Sequence, residues 1–170
     1  VTGNACSFWL NRDGSIMSSM IKQDSWNEQK RTGSFSKNKG NPQKSVITKL
    51  SRIEVGGIVD AIESNREWSA YHRSQKQVLQ MKFCPYMRDG KQVGFSFSIN
   101  KQDAEDTSKK TSFVIGFYFP EARVLKHDLE FFLDKTIKIQ DYTQPEKSQE
   151  STTENNTQDS GNPFDDGDIF

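Results

Sequence analysis

The chain has 170 residues, 23 basic and 23 acidic side chains, and a mean hydropathy of −0.82. Apolar residues make up only 32% of it, which is low for a fully packed domain, so we expect part of the chain to lie outside any core. Cys6, Cys84, His72 and His127 lack the spacing of a disulfide framework or a metal site, so no metal or cofactor is predicted.

Charge is unevenly distributed along the chain. Eight acidic residues and one basic residue follow position 140, which leaves 22 basic and 15 acidic residues before it. A basic body with an acidic arm favours an anionic partner for the body, although a solvated surface with a solubilising tail is the alternative. Residues 141–170 are rich in Gln, Ser, Thr, Asn and acid, so we predict a disordered acidic tail there and a folded domain over residues 1–140.

The first fifty residues contain three candidate strands, CSFWL, IMSSMIK and GSFSK. Basic and aromatic side chains are interleaved in this region, a composition that suits an unpaired nucleic-acid strand better than a duplex. A partly mobile hairpin without a ligand is the alternative. The candidate binding residues here are Trp9, Lys22, Trp26, Lys30, Arg31, Phe35 and Lys37.

The first helix is predicted to begin after Ser51. Ser51 and Glu54 have the spacing of a capping box, and an apolar stripe that includes Val55 and Ile58 follows at helical spacing. The pair Gly56-Gly57 costs helix propensity and therefore indicates close packing at that turn.

Four strands and a second helix are predicted over residues 66–137. The strands lie in REWSAYHR, VLQMKF, CPYMRDGKQVGFSFSIN and SFVIGFYFP, with a hairpin turn at Asp89-Gly90. Alternate positions of the last three are rich in Phe, which predicts one buried sheet face. The helix EARVLKHDLEFFLDKTI carries an apolar stripe, which predicts an α+β fold.

The other face of this predicted sheet carries lysine, tyrosine and small residues. Lysines neutralise phosphates and aromatic rings stack on unpaired bases, so this face is a candidate for binding single strands. The alternative is an ordinary solvated face of an antiparallel sheet. The candidate binding residues of this region are Lys76, Lys82, Tyr86, Arg88 and Lys91.

The segments KLSRIEVGGIVDAIESN, VLQMKF, KQVGFSFSIN and FVIGFYFPEARVLKHDLEFFL together resemble the Whirly and positive-cofactor superfamily of single-stranded nucleic-acid-binding proteins. Leu50 to Gly56 matches the family's L-[ST]-x-x-E-[VI]-G helix start, and Gly94 to Asn100 is similar to its G-[YF]-F-x-[SV]-x-S-[VI]-N strand. The resemblance implies four strands and then a helix, approximately repeated, single strands held across sheet faces, and a homo-oligomer. Two lysines that plant Whirly proteins carry in the first strand are absent from Thr2 to Ser7.

The segment GNPFDDGDIF is similar to the acidic tails of bacterial and phage single-stranded-DNA-binding proteins. This resemblance implies that Asp165, Asp166 and Asp168 meet a basic pocket rim on a replication or repair partner. Ile169 and Phe170 would then fill the pocket itself. A tail without a partner is the alternative.

These observations predict a sequence-tolerant single-stranded-DNA-binding protein that coats and protects single strands in replication, recombination or repair. A transcription cofactor or RNA-annealing protein on the same fold, and a protein-interaction adaptor, are the alternatives. An enzyme is not predicted, because no nucleophile elbow, phosphate loop, paired-carboxylate motif or metal cluster appears. Without a signal-peptide pattern or an apolar membrane span, we expect a cytoplasmic or nucleoid-associated protein, in the host cytoplasm if it is phage-encoded.

Overall fold

The computed structural model describes residues 3–143. Within them, nine strands and two helices follow one another. Their bounds are β1 Asn4–Leu10, β2 Ile16–Lys22, β3 Ser25–Asn27, β4 Thr32–Ser34, β5 Ser45–Leu50, α1 Arg52–Ser64, β6 Trp68–Arg73, β7 Gln77–Arg88, β8 Lys91–Asp103, β9 Lys110–Tyr118 and α2 Phe119–Thr143.

The strands form two antiparallel sheets and a small ribbon. Strands β1, β2 and β5 make a three-stranded sheet with β2 in the middle, and β6 to β9 make a four-stranded meander. Strands β3 and β4 pair only with each other. The predicted α+β fold with antiparallel sheets is therefore confirmed.

The core lies between the inner faces of the two sheets and the two helices. Phe83, Phe97 and Phe113 of the four-stranded sheet are fully buried, as is Leu129 of α2. The ring of Phe8, in β1, lies 5.6 Å from the ring of Phe97 and joins the two sheets. The Phe-rich strand face predicted from the sequence is thus the core face.

Helix α1 has the predicted start. The backbone N–H of Glu54 donates to Ser51 Oγ at 3.2 Å, and the backbone N–H of Ser51 donates to Glu54 Oε2 at 2.7 Å, which completes the capping box. The close packing expected at the glycine pair belongs to Gly57, because a Cβ there would collide with the indole ring of Trp68. A Cβ on Gly56 would meet open space.

The hairpin between β7 and β8 turns at Asp89-Gly90, as predicted. Asp89 and Gly90 have φ values of 50° and 74°, the left-handed conformation that a two-residue type I′ turn requires at both positions. The turn sets Arg88 opposite Lys91 and fixes the register of the two longest strands.

The first half differs from the sequence expectation in two places. Strand β5 was not predicted. Of the candidate strand GSFSK only Gly33 and Ser34 are extended, as part of β4, because Ser36–Asn38 form a 3₁₀ turn. The approximate repeat of strands and helix therefore consists of a three-stranded sheet, a ribbon and α1, followed by a four-stranded sheet and α2.

Helix α2 is longer than predicted. It begins at Phe119, with Pro120 in its first turn, and runs to Thr143. Thr136 is buried on this helix and donates a hydrogen bond from Oγ1 to the carbonyl oxygen of Gly14 at 2.9 Å, which ties the far end of α2 to the β1–β2 turn. Neither helix of the described residues is long and apolar enough to cross a membrane.

Candidate nucleic-acid interface

The outer face of the four-stranded sheet, here called the open face, presents alternate residues of its strands away from the core. The cross-strand register aligns these residues in rows, three of which run across all four strands. None of them is acidic. The open face consists of Ser69, Tyr71 and Arg73 in β6, Val78, Gln80, Lys82, Cys84 and Tyr86 in β7, Ser96, Ser98, Asn100 and Gln102 in β8, and Lys110, Ser112, Val114, Gly116 and Tyr118 in β9.

Three tyrosines stand on the open face. Tyr71 is 56% exposed, Tyr118 50% and Tyr86 38%. A Cβ at Gly116 would lie 3.1 Å from Cε1 of Tyr86, so the absence of a side chain at Gly116 lets the tyrosine ring lie along the sheet surface. Exposed aromatic rings of this kind can stack on unpaired bases at about 1–3 kcal/mol per base.

Four basic side chains accompany the tyrosines. Arg73 and Lys110 lie at one end of the sheet, Lys82 in its middle and Arg88 at the other end. Lys82 Nζ forms an ion pair with Glu67 Oε2 at 2.8 Å, and this contact raises the pKa of Lys82. Arg88 Nη1 donates to the hydroxyl of Tyr118 at 3.4 Å.

The Arg73 end of the open face is concave. A depression of about 630 Å³ lies there, within the size range of small-ligand pockets. Tyr71, Arg73, Gln80, Asn100 and Lys110 are among the residues that line it. Lys101, Gln102 and the acidic Asp103 also line it. Basic side chains beside a tyrosine and amides are chemistry suited to one nucleotide of a flexible strand.

The binding residues predicted from the strands of the second half lie on or near the open face. Lys82 and Tyr86 belong to it, and the guanidinium of Arg88 reaches it through Tyr118. Lys91 faces Arg88 across the hairpin, and Lys76 is exposed in the turn between β6 and β7, at the opposite end of the sheet.

Two of the residues predicted from the first half lie on the three-stranded sheet. Trp9 occupies the outward-facing register of β1 opposite Met17, and its Nε1 donates to Asn11 Oδ1 at 2.9 Å. Lys22 ends β2 with its Nζ 5.6 Å from the ring centroid of Phe113, so its ammonium lies near β9 rather than on the open face.

The other predicted residues of the first half belong to the ribbon. Trp26 of β3 is 47% exposed, Lys30 and Arg31 lie in the β3–β4 turn, and Phe35 and Lys37 follow β4. The candidate residues thus do not form one surface. They lie on or beside the open face, on the outer face of the three-stranded sheet (Trp9), near β9 (Lys22), and on or next to the ribbon.

The binding residues predicted from the sequence did not include Tyr71, Arg73 and Lys110, whereas the alternation of its strand placed Tyr118 on this face without naming it as a binding residue. The available signal was the alternation in β6, where Trp68, Ala70 and His72 point inward and Ser69, Tyr71 and Arg73 point outward. That alternation is weak in the sequence, because the inward set is a tryptophan, an alanine and a histidine and the outward set includes a tyrosine.

His72 is inward because it has partners there. Its Nε2 lies 2.6 Å from Glu54 Oε1 and its Nδ1 lies 3.1 Å from Thr48 Oγ1, so the ring joins β6 to α1 and β5. Burial raises the pKa of Glu54, but hydrogen bonds from the Ser51 backbone and His72 outweigh burial, and the net pKa is lowered. Among the described residues, no group of His, Cys, Asp and Glu could hold a metal ion.

The predicted partner-binding residues of the tail, Asp165, Asp166, Asp168, Ile169 and Phe170, lie outside the described residues.

Solved structures of plant proteins share this fold. The crystal structure of WHY3 from Arabidopsis thaliana matches 84% of this chain and 91% of its own, at 16% identity and a TM-score of 0.56. The plant transcriptional regulator PBF-2 matches 84% of this chain and 82% of its own, at 14% identity and a TM-score of 0.58. WHY1 from Arabidopsis thaliana matches 85% and 92%, at 15% identity and 0.54.

At these identities the likeness defines the fold, which is Whirly-like. No family model matches the chain, and no curated protein matches it in sequence.

Proposed function

We propose that this protein binds single-stranded nucleic acid across the open face without selecting a sequence. The observation that carries the proposal is the combination on one sheet face of exposed tyrosines, basic side chains and no acidic residue. A single strand offers phosphates for the cations and free base faces for the rings, whereas a duplex hides its base faces.

The fold adds support from a different direction. PBF-2, a protein of the same fold, is named a plant transcriptional regulator. For this chain we favour single-stranded DNA that is coated during replication, recombination or repair. RNA is the alternative ligand for the same face.

The acidic tail and oligomer formation complete the proposal. Residues 141–170 carry the excess of acidic side chains, and we propose that Asp165, Asp166, Asp168, Ile169 and Phe170 recruit a replication or repair protein. We also propose a homo-oligomer, which would place several open faces along one strand. Light scattering should then give a multiple of the 19.5 kDa chain mass.

The test is a fluorescence anisotropy titration of labelled oligothymidine at several salt concentrations. The three cations of the open face and Arg88 at its edge predict that log K falls with log salt with a slope near −3, at about 0.7 per neutralised phosphate of a single strand. A duplex of the same length should bind more weakly at equal salt. Titration with an RNA oligomer of matched sequence and length measures whether the protein prefers deoxyribose or ribose.

The variant Arg73→Ala should lower affinity for oligothymidine and reduce the slope by about 0.7. Lys135→Ala, on the outer part of α2, is the matched control and should change neither. Equal affinity for duplex and single strand would contradict the proposal, as would a wild-type affinity that does not depend on salt.

A further inference from the structure

One row of the open face differs chemically from its neighbours. Tyr71, Gln80, Asn100 and Ser112 stand directly opposite one another on the four strands, and all four are exposed. Neighbouring strands lie about 4.8 Å apart, so the row places two amides side by side between a phenol ring and a hydroxyl group. This set is called the amide row below.

The next row toward the hairpin offers no comparable hydrogen-bonding pair. It consists of Ser69, Lys82, Ser98 and Val114. Lys82 there carries a charge suited to phosphate, and Ser98 donates weakly to the carbonyl oxygen of Lys82 at 3.5 Å. Adjacent rows of one sheet thus present two kinds of chemistry, charge in one and neutral amides in the other.

The amides of this row are free to rotate. Within residues 3–143, the side chains of Gln80 and Asn100 make no hydrogen bond to the protein, whereas some other amides of the chain are held. Asn65 and Gln92, for example, exchange two hydrogen bonds at 3.0 and 2.6 Å. An amide that nothing holds can present either its N–H or its oxygen to a ligand.

The surroundings of the amide row suit a base. Depressions lie on both sides of it, and Tyr71, Gln80 and Asn100 line both of them. Tyr71 supplies an exposed ring for stacking, and Arg73 and Lys110 stand in the next row on the other side to meet the adjoining phosphates. An edge of every nucleobase combines donors and acceptors that a rotatable amide can match.

We propose that the amide row hydrogen-bonds the edge of an unpaired base stacked at Tyr71, and that rotation of Gln80 and Asn100 lets it accept any base. The inference rests on the proposed function, because it assumes that a single strand lies on the open face. It adds a division of labour: the cations hold the backbone, and the amide row holds bases without reading their identity.

The double variant Gln80→Met, Asn100→Leu tests this division, because it keeps side-chain volume and removes the amides from exposed positions. Affinity for oligothymidine should fall about fivefold or more, the smallest effect expected for two lost neutral hydrogen bonds. The salt slope should not change, because no charge is removed. Affinity for an abasic oligomer of equal length should also stay constant.

Lys82→Met is the matched control, because Lys82 lies two residues after Gln80 on the same strand and is also replaced by methionine. It should lower affinity for the abasic and base-bearing oligomers by the same factor and reduce the salt slope by about 0.7. Oligomers of adenine, cytosine and thymine should lose affinity for the double variant by similar factors. A loss confined to one of the three would overturn the tolerance that we assign to the amide row.

Other outcomes separate this inference from the proposed function. If wild-type protein binds no single strand, the proposed function fails and the amide row loses its ligand. If wild-type protein binds and the double variant binds oligothymidine equally well, only the amide row is refuted. The same holds if the double variant loses as much affinity for the abasic oligomer as for oligothymidine. Circular dichroism of the variants verifies that they are folded.

Discussion

The two cysteines of the chain provide a footprint of the open face that needs no substitution. Cys84 belongs to the open face, between Lys82 and Tyr86 along β7, with its Sγ 3.4 Å from Ser96 Oγ. Cys6 points into the core from β1. A thiol reagent should therefore modify Cys84 much faster than Cys6, and bound oligothymidine should protect Cys84.

The expected difference in rate follows from burial. Burial raises the pKa of the Cys6 thiol to about 12, from 9.0 for an unperturbed thiol. Because the thiolate is the reactive form, this raised pKa leaves far less thiolate on Cys6 near neutral pH than on an unperturbed thiol, before access to the thiol is considered. Cys6 should therefore react slowly in the folded state, while Cys84 reacts there more readily.

The assay is maleimide labelling with and without saturating oligothymidine, quantified for each cysteine peptide by mass spectrometry. Cys84→Ser is the control and should leave no fast-reacting thiol. If saturating oligothymidine leaves the rate at Cys84 unchanged, the strand binds elsewhere and the open face is the wrong surface. Labelling of Cys6 as fast as that of Cys84 would mean that β1 does not pack as described.

Four further results are expected. Leu129→Ala should cost about 2–5 kcal/mol in urea unfolding because Leu129 is fully buried, whereas Val124→Ala, 62% exposed on the same helix, should stay within about 0.5 kcal/mol. Glu67→Gln should strengthen binding of oligothymidine, because it frees Lys82 from its ion pair, and weaker binding would contradict this. The lowered pKa of Glu54 adds stability that is present above the ordinary pKa of 4.5 and is lost as the pH falls through the lower pKa of the folded state. Below about pH 4.5, the unfolding midpoint of Glu54→Gln should therefore fall less steeply with pH than that of the wild-type protein. Deletion of residues 144–170 should raise affinity for single strands most at low salt and abolish partner recruitment, and unchanged affinity together with unchanged co-purifying proteins would leave the tail only a solubilising role.

Helix α1 and the second half of the fold were predictable because their local signals agree with one another. The turn at Asp89-Gly90 joins strands whose alternate positions are apolar, and the capping box at Ser51 marks where α1 begins. These signals act over a few residues and depend little on distant contacts. The Whirly-like arrangement then follows from the order of the elements.

Strand β5 escaped prediction because it buries a polar residue. Thr48 faces inward between Val46 and Leu50 and is only 5% exposed, while Ile47 faces outward and is 59% exposed. The usual alternation of apolar and polar residues is therefore inverted at these two positions. Thr48 is acceptable in the core because its hydroxyl lies 3.1 Å from His72 Nδ1, a contact between residues 24 positions apart that no local pattern reveals.

The candidate site was only partly predictable for a related reason. Lys82 and Tyr86 were found from the alternation of a single strand, but the rows of the open face are a property of four strands in register. The amide row needs Gln80 opposite Asn100. These two residues are twenty positions apart in the chain, and the hairpin turn between them sets their pairing. The sequence pattern of one β-strand shows which of its residues face outward, but it does not show which residues of the neighbouring strands stand beside them.

Register connects the core and the proposed binding surface. In β7 and β8 the period of two places Phe83 and Phe97 on one face and Lys82 and Ser98 on the other, so a slip of one residue would bury the cation and expose the rings. The large penalty for exposing those rings therefore also holds the open face in place. An irregularity in the pairing between Tyr86 and Met87 comes after this constrained stretch, where it leaves the core pairing unchanged. Beyond it the strand is exposed, and Arg88 there reaches the hydroxyl of Tyr118 across the sheet.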